Sequence, residues 1–320
     1  MKRLWIAGCA ALSLAACGGS GGSGDGMGTL KLGVTDAPVD DAEAVVITFT
    51  AVELLDGSDN PVQRFDLDEP QSIDLLTLQG SNSAFLVDGE AVPVGVYEQV
   101  RLIIDGPAGA ACQQAIADPE YPNFITVDGV DYPLIVPSGA QTGLKVQGPI
   151  TVAAGGSASY TVDFDLRKSI AERGVTGCYN LRPVLRVVDN AEVGTLAGTV
   201  DGDLLMAEGC TADVMDGSGA AVYVYNGVDA VPGDAGSETP PLTTSLLTPI
   251  IDENDAPTGD FSYEVGFLLA GDYTAAFTCQ AGDDDPEADD MLVFDPVANV
   301  SITADQTTTQ DFTLAAEPAP

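Results

Sequence analysis

Apolar residues recur at alternate positions in short runs along this chain of 320 residues, and no stretch sustains a helical apolar period over several turns. Thr29 to Val34 alternates like a half-buried strand and stops at Asp36-Ala37-Pro38. Ala44 to Leu55 is a longer strand. The turn residues Asp56 to Pro61 can return the chain through Val62 to Leu67 as its hairpin partner. Further strands are expected within Val94 to Ile104, Leu144 to Val146, Ser159 to Leu166 and Leu181 to Val188, with short helical turns at Ser72 to Leu78 and Arg167 to Arg173. A second series follows: Gly194 to Val200, Ala221 to Tyr225, Gly259 to Val265, Leu269 to Phe277 and Asp311 to Leu314. Short strands separated by Gly/Asp turns predict an all-β chain of two tandem β-sandwich domains, Greek-key/transthyretin-like or Ig-like. They are expected at residues 29–190 and 191–316, meeting near Asp189-Asn190-Ala191-Glu192, with 317–320 as a disordered tail.

The first residues break this pattern. Lys2 and Arg3 precede an apolar run from Leu4 to Ala16 that is too short to span a bilayer. A basic start, an apolar stretch and small residues before a cleavage point predict an export signal over residues 1–16. Leu14-Ala15-Ala16-Cys17 resembles the bacterial lipobox, which implies that Cys17 is acylated, with palmitate among its chains, and becomes the first mature residue. Residues 17–28 then read as lipidated cysteine and Gly/Ser tether, since Gly18 to Gly24 has the composition of a flexible spacer. Gly18 in place of aspartate after Cys17 points to the outer membrane, with the lipid as the membrane contact.

Charge narrows the partners. The formal net charge is −38, and loss of Lys2 and Arg3 makes the mature form more negative still. The nine remaining basic residues all lie between Lys31 and Arg186; from Val187 to Pro320 there is none. Such a surface repels phosphate backbones, so no nucleic-acid partner is expected, whereas divalent cations or a saline medium would suit it. The chain has no histidine, which excludes Ser-His-Asp and Cys-His catalysis and imidazole-based zinc sites. Its one tryptophan, Trp5, leaves with the signal.

With Cys9 in the signal and Cys17 lipidated, four cysteines remain, and four cysteines allow three pairings. One bridge per domain is simplest: Cys112 with Cys178 and Cys210 with Cys279. Export favours oxidation, and a loop of this length contributes about 4 kcal/mol through chain entropy.

Several segments occur in an order that resembles a known family: Thr35-Asp36-Ala37-Pro38, Ile73 to Leu78, Pro93 to Tyr97, Pro137-Ser138-Gly139 with Thr142 to Lys145, Asp163 to Ser169, and Tyr179 to Pro183. Together they resemble DUF4382, a bacterial domain of unknown function found in exported lipoproteins, over roughly residues 28–190. The resemblance implies a β-rich exported domain and brings no catalytic residues. The second domain resembles a transthyretin-like or carboxypeptidase-regulatory-like module, carried by Gly194 to Val200, Gly259-Asp260-Phe261 and Ala270 to Tyr273. It departs from that pattern in its acidity and in a long insertion, Val228 to Pro257.

Candidate chemistry is sparse. Gly18-Gly19-Ser20-Gly21-Gly22 fits the nucleophile-elbow pattern but lacks the strand and helix that an elbow requires. Ser138 and Lys145 evoke a dyad, yet the surrounding proline and glycines read as a turn. Asp163 and Asp165 flank Phe164 and so share a strand face; they could act as paired acids or hold Ca²⁺, and pairing with nearby Arg167, Lys168 or Arg101 is the default expectation. Asp36 is expected to cap a turn rigidified by Pro38. Two acidic loops offer oxygen ligands for a weak structural Ca²⁺: Asp252, Asn254 and Asp255, and Asp283, Asp285 and Asp289, neither with EF-hand spacing. No other cofactor is expected. These features predict a lipid-anchored, non-enzymatic binding, adhesion or scaffolding protein of the cell envelope whose partner is an envelope protein or glycan. A calcium-dependent adhesin and a carboxylate-only hydrolase are the competing expectations.

Overall fold

A computed structural model describes residues 26–37, 42–58, 60–106, 121–136, 142–172 and 177–314. The expected bridge partner Cys112, the expected lipidation site Cys17, Ser138 and the tail 317–320 lie outside them. The chain is all-β: twenty strands, a four-residue helix and a few 3₁₀ turns among the described residues.

The N-terminal half builds two sheets. In the first, β1 (Met27–Ala37) lies between β4 (Ala84–Pro93) and β9 (Ser157–Asp165), with β12 (Leu185–Asp189) at the far edge. β1 is antiparallel to β4 but parallel to β9, in register from Thr29 opposite Ser157 to Ala37 opposite Asp165. The second sheet is centred on β2 (Ala44–Leu55). β3 (Gln63–Asp74), β5 (Gly95–Ile104) and β6 (Phe124–Val127) pair with β2; β7 (Val130–Ile135), β8 (Leu144–Val152), β10 (Ile170–Glu172) and β11 (Tyr179–Leu181) extend it. Between β6 and β7, Asp128 and Gly129 both have positive φ, the two-residue turn whose twist suits a hairpin.

Alternation explains the core between these sheets. Leu30, Leu32 and Val34 of β1 point inward and are fully buried, as are Ile47, Phe49, Val52 and Leu54 of β2. Phe49 meets Phe164 of β9 edge-on across the layer at 6.3 Å. Each buried aliphatic or aromatic side chain here contributes about 1.5–3 kcal/mol.

The C-terminal half forms two four-stranded sheets. One orders β16 (Thr248–Ile251), β17 (Pro257–Leu269), β13 (Val193–Val200) and β20 (Thr307–Thr309). The other orders β15 (Thr243–Leu246), β14 (Ala221–Asn226), β18 (Gly271–Thr278) and β19 (Val297–Ile302). Leu196, Val200, Phe261 and Tyr263 of the first sheet pack with Val222, Val224, Phe277 and Ile302 of the second. The opposite face of β14 is buried too: Tyr223 and Tyr225 lie under Phe294 and Ala281 of the loop that follows β18. Alternation on β14 therefore separates two apolar environments, not core from water.

Three elements differ from expectation. Leu181 to Val188 divides at Arg182-Pro183 into β11 and β12, because proline gives no ladder N–H. Asp311 to Leu314 is no strand: it joins the sheet through an isolated bridge from Phe312 to Val200, while Asp311 Oδ1 accepts from the Thr199 N–H and hydroxyl and Phe312 is buried in the core. The helical turn expected from Arg167 starts one residue earlier, as α1 (Leu166–Ser169), and the chain re-enters a strand at Ile170.

Candidate functional site

The sharpest chemistry lies where the N-terminal and C-terminal sheets meet. The connection from β12 to β13 is only Asn190 to Glu192, and both its ends are held. The Asn190 side chain donates to Ser159 Oγ at 3.0 Å and accepts from Thr161 Oγ1 at 2.9 Å, while the Glu192 carbonyl accepts from the Ala270 N–H at 2.9 Å. Short and pinned at both ends, this connection leaves the two halves little freedom.

α1 supplies the main link. Asp165 caps it by accepting from the Lys168 N–H, and Lys168 Nζ then pairs with Asp165 at 3.1 Å. Arg167 points the other way, into the C-terminal half. Its Nη1 donates to Tyr223 Oη and lies 3.2 Å from Asp284 Oδ2; the Tyr223 hydroxyl donates to the same oxygen. The Ala235 N–H donates to Asp284 Oδ1 at 3.1 Å. Both charged side chains are withdrawn from solvent, at 4% and 0% exposure. The guanidinium also lies 5.2 Å from the Tyr223 ring centroid. Burial pushes the Tyr223 phenol far above its ordinary range, so it stays a hydrogen-bond donor. Lys168 Nζ also crosses the joint, donating to the Pro241 carbonyl at 2.7 Å.

A second contact lies beside β1. Ser81 N–H donates to Glu264 Oε1 at 2.8 Å, and Gly266 approaches the turn so closely that a Cβ would sit 2.3 Å from the Gly80 carbonyl. Phe267, the next residue, has φ +53°, an uncommon backbone state for a large side chain. Between these contacts is a cavity of about 10 Å³ walled by Asp36 and Asp163 from one half and Glu264 from the other.

Asp36 departs from the expected turn cap. β1 continues alongside β9 through Ala37, which carries Asp36 into this joint, 4% exposed and with neither carboxylate oxygen hydrogen-bonded. Burial raises its carboxyl well above the usual carboxylate range; the charges of Asp163 and Asp165 add to this, and the Leu166 amide opposes it without closing a hydrogen bond. Asp163 is likewise buried. Burial raises its carboxyl, but Arg186 Nε at 2.6 Å draws it back. The expected pairing of Asp163 and Asp165 thus takes place with Arg186 and Lys168 as the bases.

The two acidic loops sit at the surface. Asp252 Oδ1 accepts from the Asn254 and Ala256 amides at 2.7 and 3.0 Å, which lowers its carboxyl, and Asp252, Asn254 and Asp255 are all exposed. Asp283 accepts from Thr211 Oγ1 at 2.8 Å and Asp285 from the Glu287 N–H at 2.9 Å; with Asp289 these are exposed. Among the described residues, the acids whose ligand atoms converge within 4.8 Å are Asp234, Asp284 and Asp290; the last two belong to the second acidic run, and Asp234 joins them from outside either loop. Asp284 is already committed to Arg167, and Asp234 Oδ2 accepts from the Asp290 N–H at 2.8 Å.

The cysteines divide similarly. Cys178 is fully buried and disulfide-bonded, with its partner outside the described residues. Cys210 and Cys279 stand as neighbouring thiols, the Cys210 Sγ donating to the Cys279 carbonyl at 3.6 Å. The fold brings this expected pair together without joining it. Burial, with the Cys210 thiol adding, pushes the Cys279 thiol up to about 12.

Two open grooves flank α1. One, about 510 Å³, runs past Ser169, Glu172, Arg182 and Glu287; the other, about 350 Å³, passes Asp165, Val184 and Pro241.

Comparison with solved structures returns a leucine-rich repeat protein from Bacteroides thetaiotaomicron, 12% identical with a TM-score of 0.20, covering 90% of this chain and 26% of that one. It also returns the TIE protein of Bacillus anthracis, 15% identical at a TM-score of 0.18 over 89% of this chain and 33% of that one. The chain therefore spans a third or less of the length of either. A third similar structure is a minor pilin of Streptococcus agalactiae, 9% identical at a TM-score of 0.18 over 91% and 98% of the two chains. Comparison with curated proteins finds no match. One family model fits, over the stretch that contributes Asp36, Asp163 and Arg167 to the joint: residues 27–183 are a DUF4382 domain, a domain of unknown function.

Proposed function

We propose that this is a lipid-anchored, non-enzymatic binding or adhesion protein of the cell envelope, in which a DUF4382 domain and a transthyretin-like module act as one rigid unit. The observation that carries this reading is the buried junction of Arg167 with Tyr223 and Asp284. Arg167 and Asp284, buried and paired, are spent on one another there. They hold the two halves together and leave grooves and strand edges as the presented surface. Cys17 supplies the anchor and residues 18–28 the tether, and the outer membrane is the expected site. Cys178 pairs with Cys112 in this reading, and oxidation after export would join the neighbouring Cys210 and Cys279, so that each half carries its own brace. The partner is an envelope protein or glycan. A strongly anionic surface makes nucleic acid an unsuitable one.

Affinity capture tests this reading. The tagged full chain should retain a defined envelope protein or glycan, with retention reduced in a variant whose joint is broken, such as Arg167→Met. Clean failure against both envelope proteins and glycan arrays would overturn it.

A further inference from the structure

Three segments meet where β1 begins: Gly26 to Leu30, the β4–β5 turn around Val94, and the β8–β9 turn from Ala153 to Gly156. The Val94 N–H donates to the Gly26 carbonyl at 2.8 Å, and the Gly155 N–H donates to the Met27 carbonyl at 2.8 Å. The buried Tyr97 hydroxyl donates to the Pro93 carbonyl at 2.6 Å and fixes the β4–β5 turn. No charged residue occurs from Gly26 to Leu30, from Ala91 to Tyr97 or from Val146 to Val162. In a chain of net charge −38 this tip is a neutral island. Its outward side chains are apolar: Met27, Val94 and Val96 are 45%, 44% and 52% exposed, and Ala153 and Ala154 are exposed as well. Val94 and Ala154 converge on Gly26, so these side chains form one patch.

The path of the chain selects the partner. With lipid at Cys17, the reading on which this inference rests, the eight residues from Gly18 to Asp25 hold Gly26 within about 30 Å of the bilayer at full stretch. The tip then meets the membrane at high effective concentration, and a contact too weak to recruit a free protein suffices for a tethered one. Acids flank the patch without entering it. Asp56 and Glu98 lie beside Tyr97, and Asp189 bonds the Tyr160 hydroxyl. They disfavour anionic headgroups and suit a surface without net charge. We propose that this tip is a membrane-docking face: Met27, Val94 and Val96 enter the headgroup region of a zwitterionic lipid surface, and the DUF4382 domain stands end-on to it.

The lone tryptophan makes the test clean. In a Trp5→Phe background, Val96→Trp places a single reporter on the tip, and Met206→Trp places one at an exposed position past the end of β13. Each full chain, purified from membranes in detergent, is reconstituted with phosphatidylcholine vesicles whose acyl chains are brominated. Val96→Trp should be quenched about threefold more than Met206→Trp and should emit at shorter wavelength. Adding Val94→Asp, at a position exposed enough to leave folding intact, should cut that quenching about twofold or more. Sedimentation with the vesicles reads the anchor separately. Chain that sediments but shows equal quenching at the two positions overturns the docking face and leaves the anchor standing; chain that does not sediment overturns both. Quenching unmoved by Val94→Asp means that the tryptophan enters by itself, and this too overturns the proposal.

Discussion

Arg167 and Asp284 form an ion pair at 3.2 Å across the two halves of the chain, buried almost completely and bridged by the Tyr223 hydroxyl. A pair this dry owes its persistence to mutual dependence, since removal of either partner strands the other charge. Arg167→Met should therefore destabilise the chain by about 3–5 kcal/mol, and Asp284→Asn comparably. The double variant should lose less than the sum of the two, which equilibrium denaturation in a double-mutant cycle would measure.

Backbone packing at the joint offers a second probe. Gly266→Ala would place a methyl group against the Gly80 carbonyl, where the gap is 2.3 Å, and should cost about 1–3 kcal/mol while loosening the contact between the halves. Gly95→Ala, whose Cβ would meet open space, should be near neutral. Proteolysis of Asn190 to Glu192 should accelerate in the first variant and not in the second; equal rates would show that the Gly80 approach does not hold the joint closed.

The neighbouring thiols make a redox prediction. Oxidised protein should carry a Cys210–Cys279 bridge, whose loop of nearly seventy residues is worth about 4 kcal/mol, so that reduction lowers the melting temperature. In the reduced chain Cys279, raised to about 12, should alkylate at pH 8 far more slowly than a free thiol. The sign follows from the raised value: the buried thiol's contribution to stability is complete below the ordinary thiol range near 9 and is lost as pH climbs through about 12. Rapid labelling at pH 8 in the folded state would contradict the buried setting.

Anchoring is tested separately. Cys17→Ser should move the protein from the detergent phase to the aqueous phase on partition and abolish incorporation of labelled palmitate. Retention of both would rule out acylation at Cys17.

Alternation made much of the fold legible: β2 runs from Ala44 to Leu55 as the pattern predicts, and β9 lies within two residues of expectation. β4 was not legible, because Asp88-Gly89-Glu90 lies in the middle of it and four successive positions are exposed. The Asp128-Gly129 hairpin could have been found from its dipeptide alone. Asp36 and Asp284 hide for different reasons. Asp36 resembles a turn residue because Pro38 follows it, and only the parallel pairing with β9 turns it inward. Asp284 sits between identical neighbours in Asp283-Asp284-Asp285, and composition cannot show which of three acids the loop folds under Tyr223. The arginine that meets it lies more than a hundred residues away in sequence, so the site exists only once both halves are folded.

The placement of β1 has a mechanical consequence. A pull applied to the chain before Met27 enters a strand flanked on both sides, with nine partners in β9 and eight in β4. Force along that strand loads its ladder bonds together, as shear, whereas an edge strand would peel away one bond at a time. A domain held to a surface by its leading segment is thus gripped at a point that resists extraction under drag.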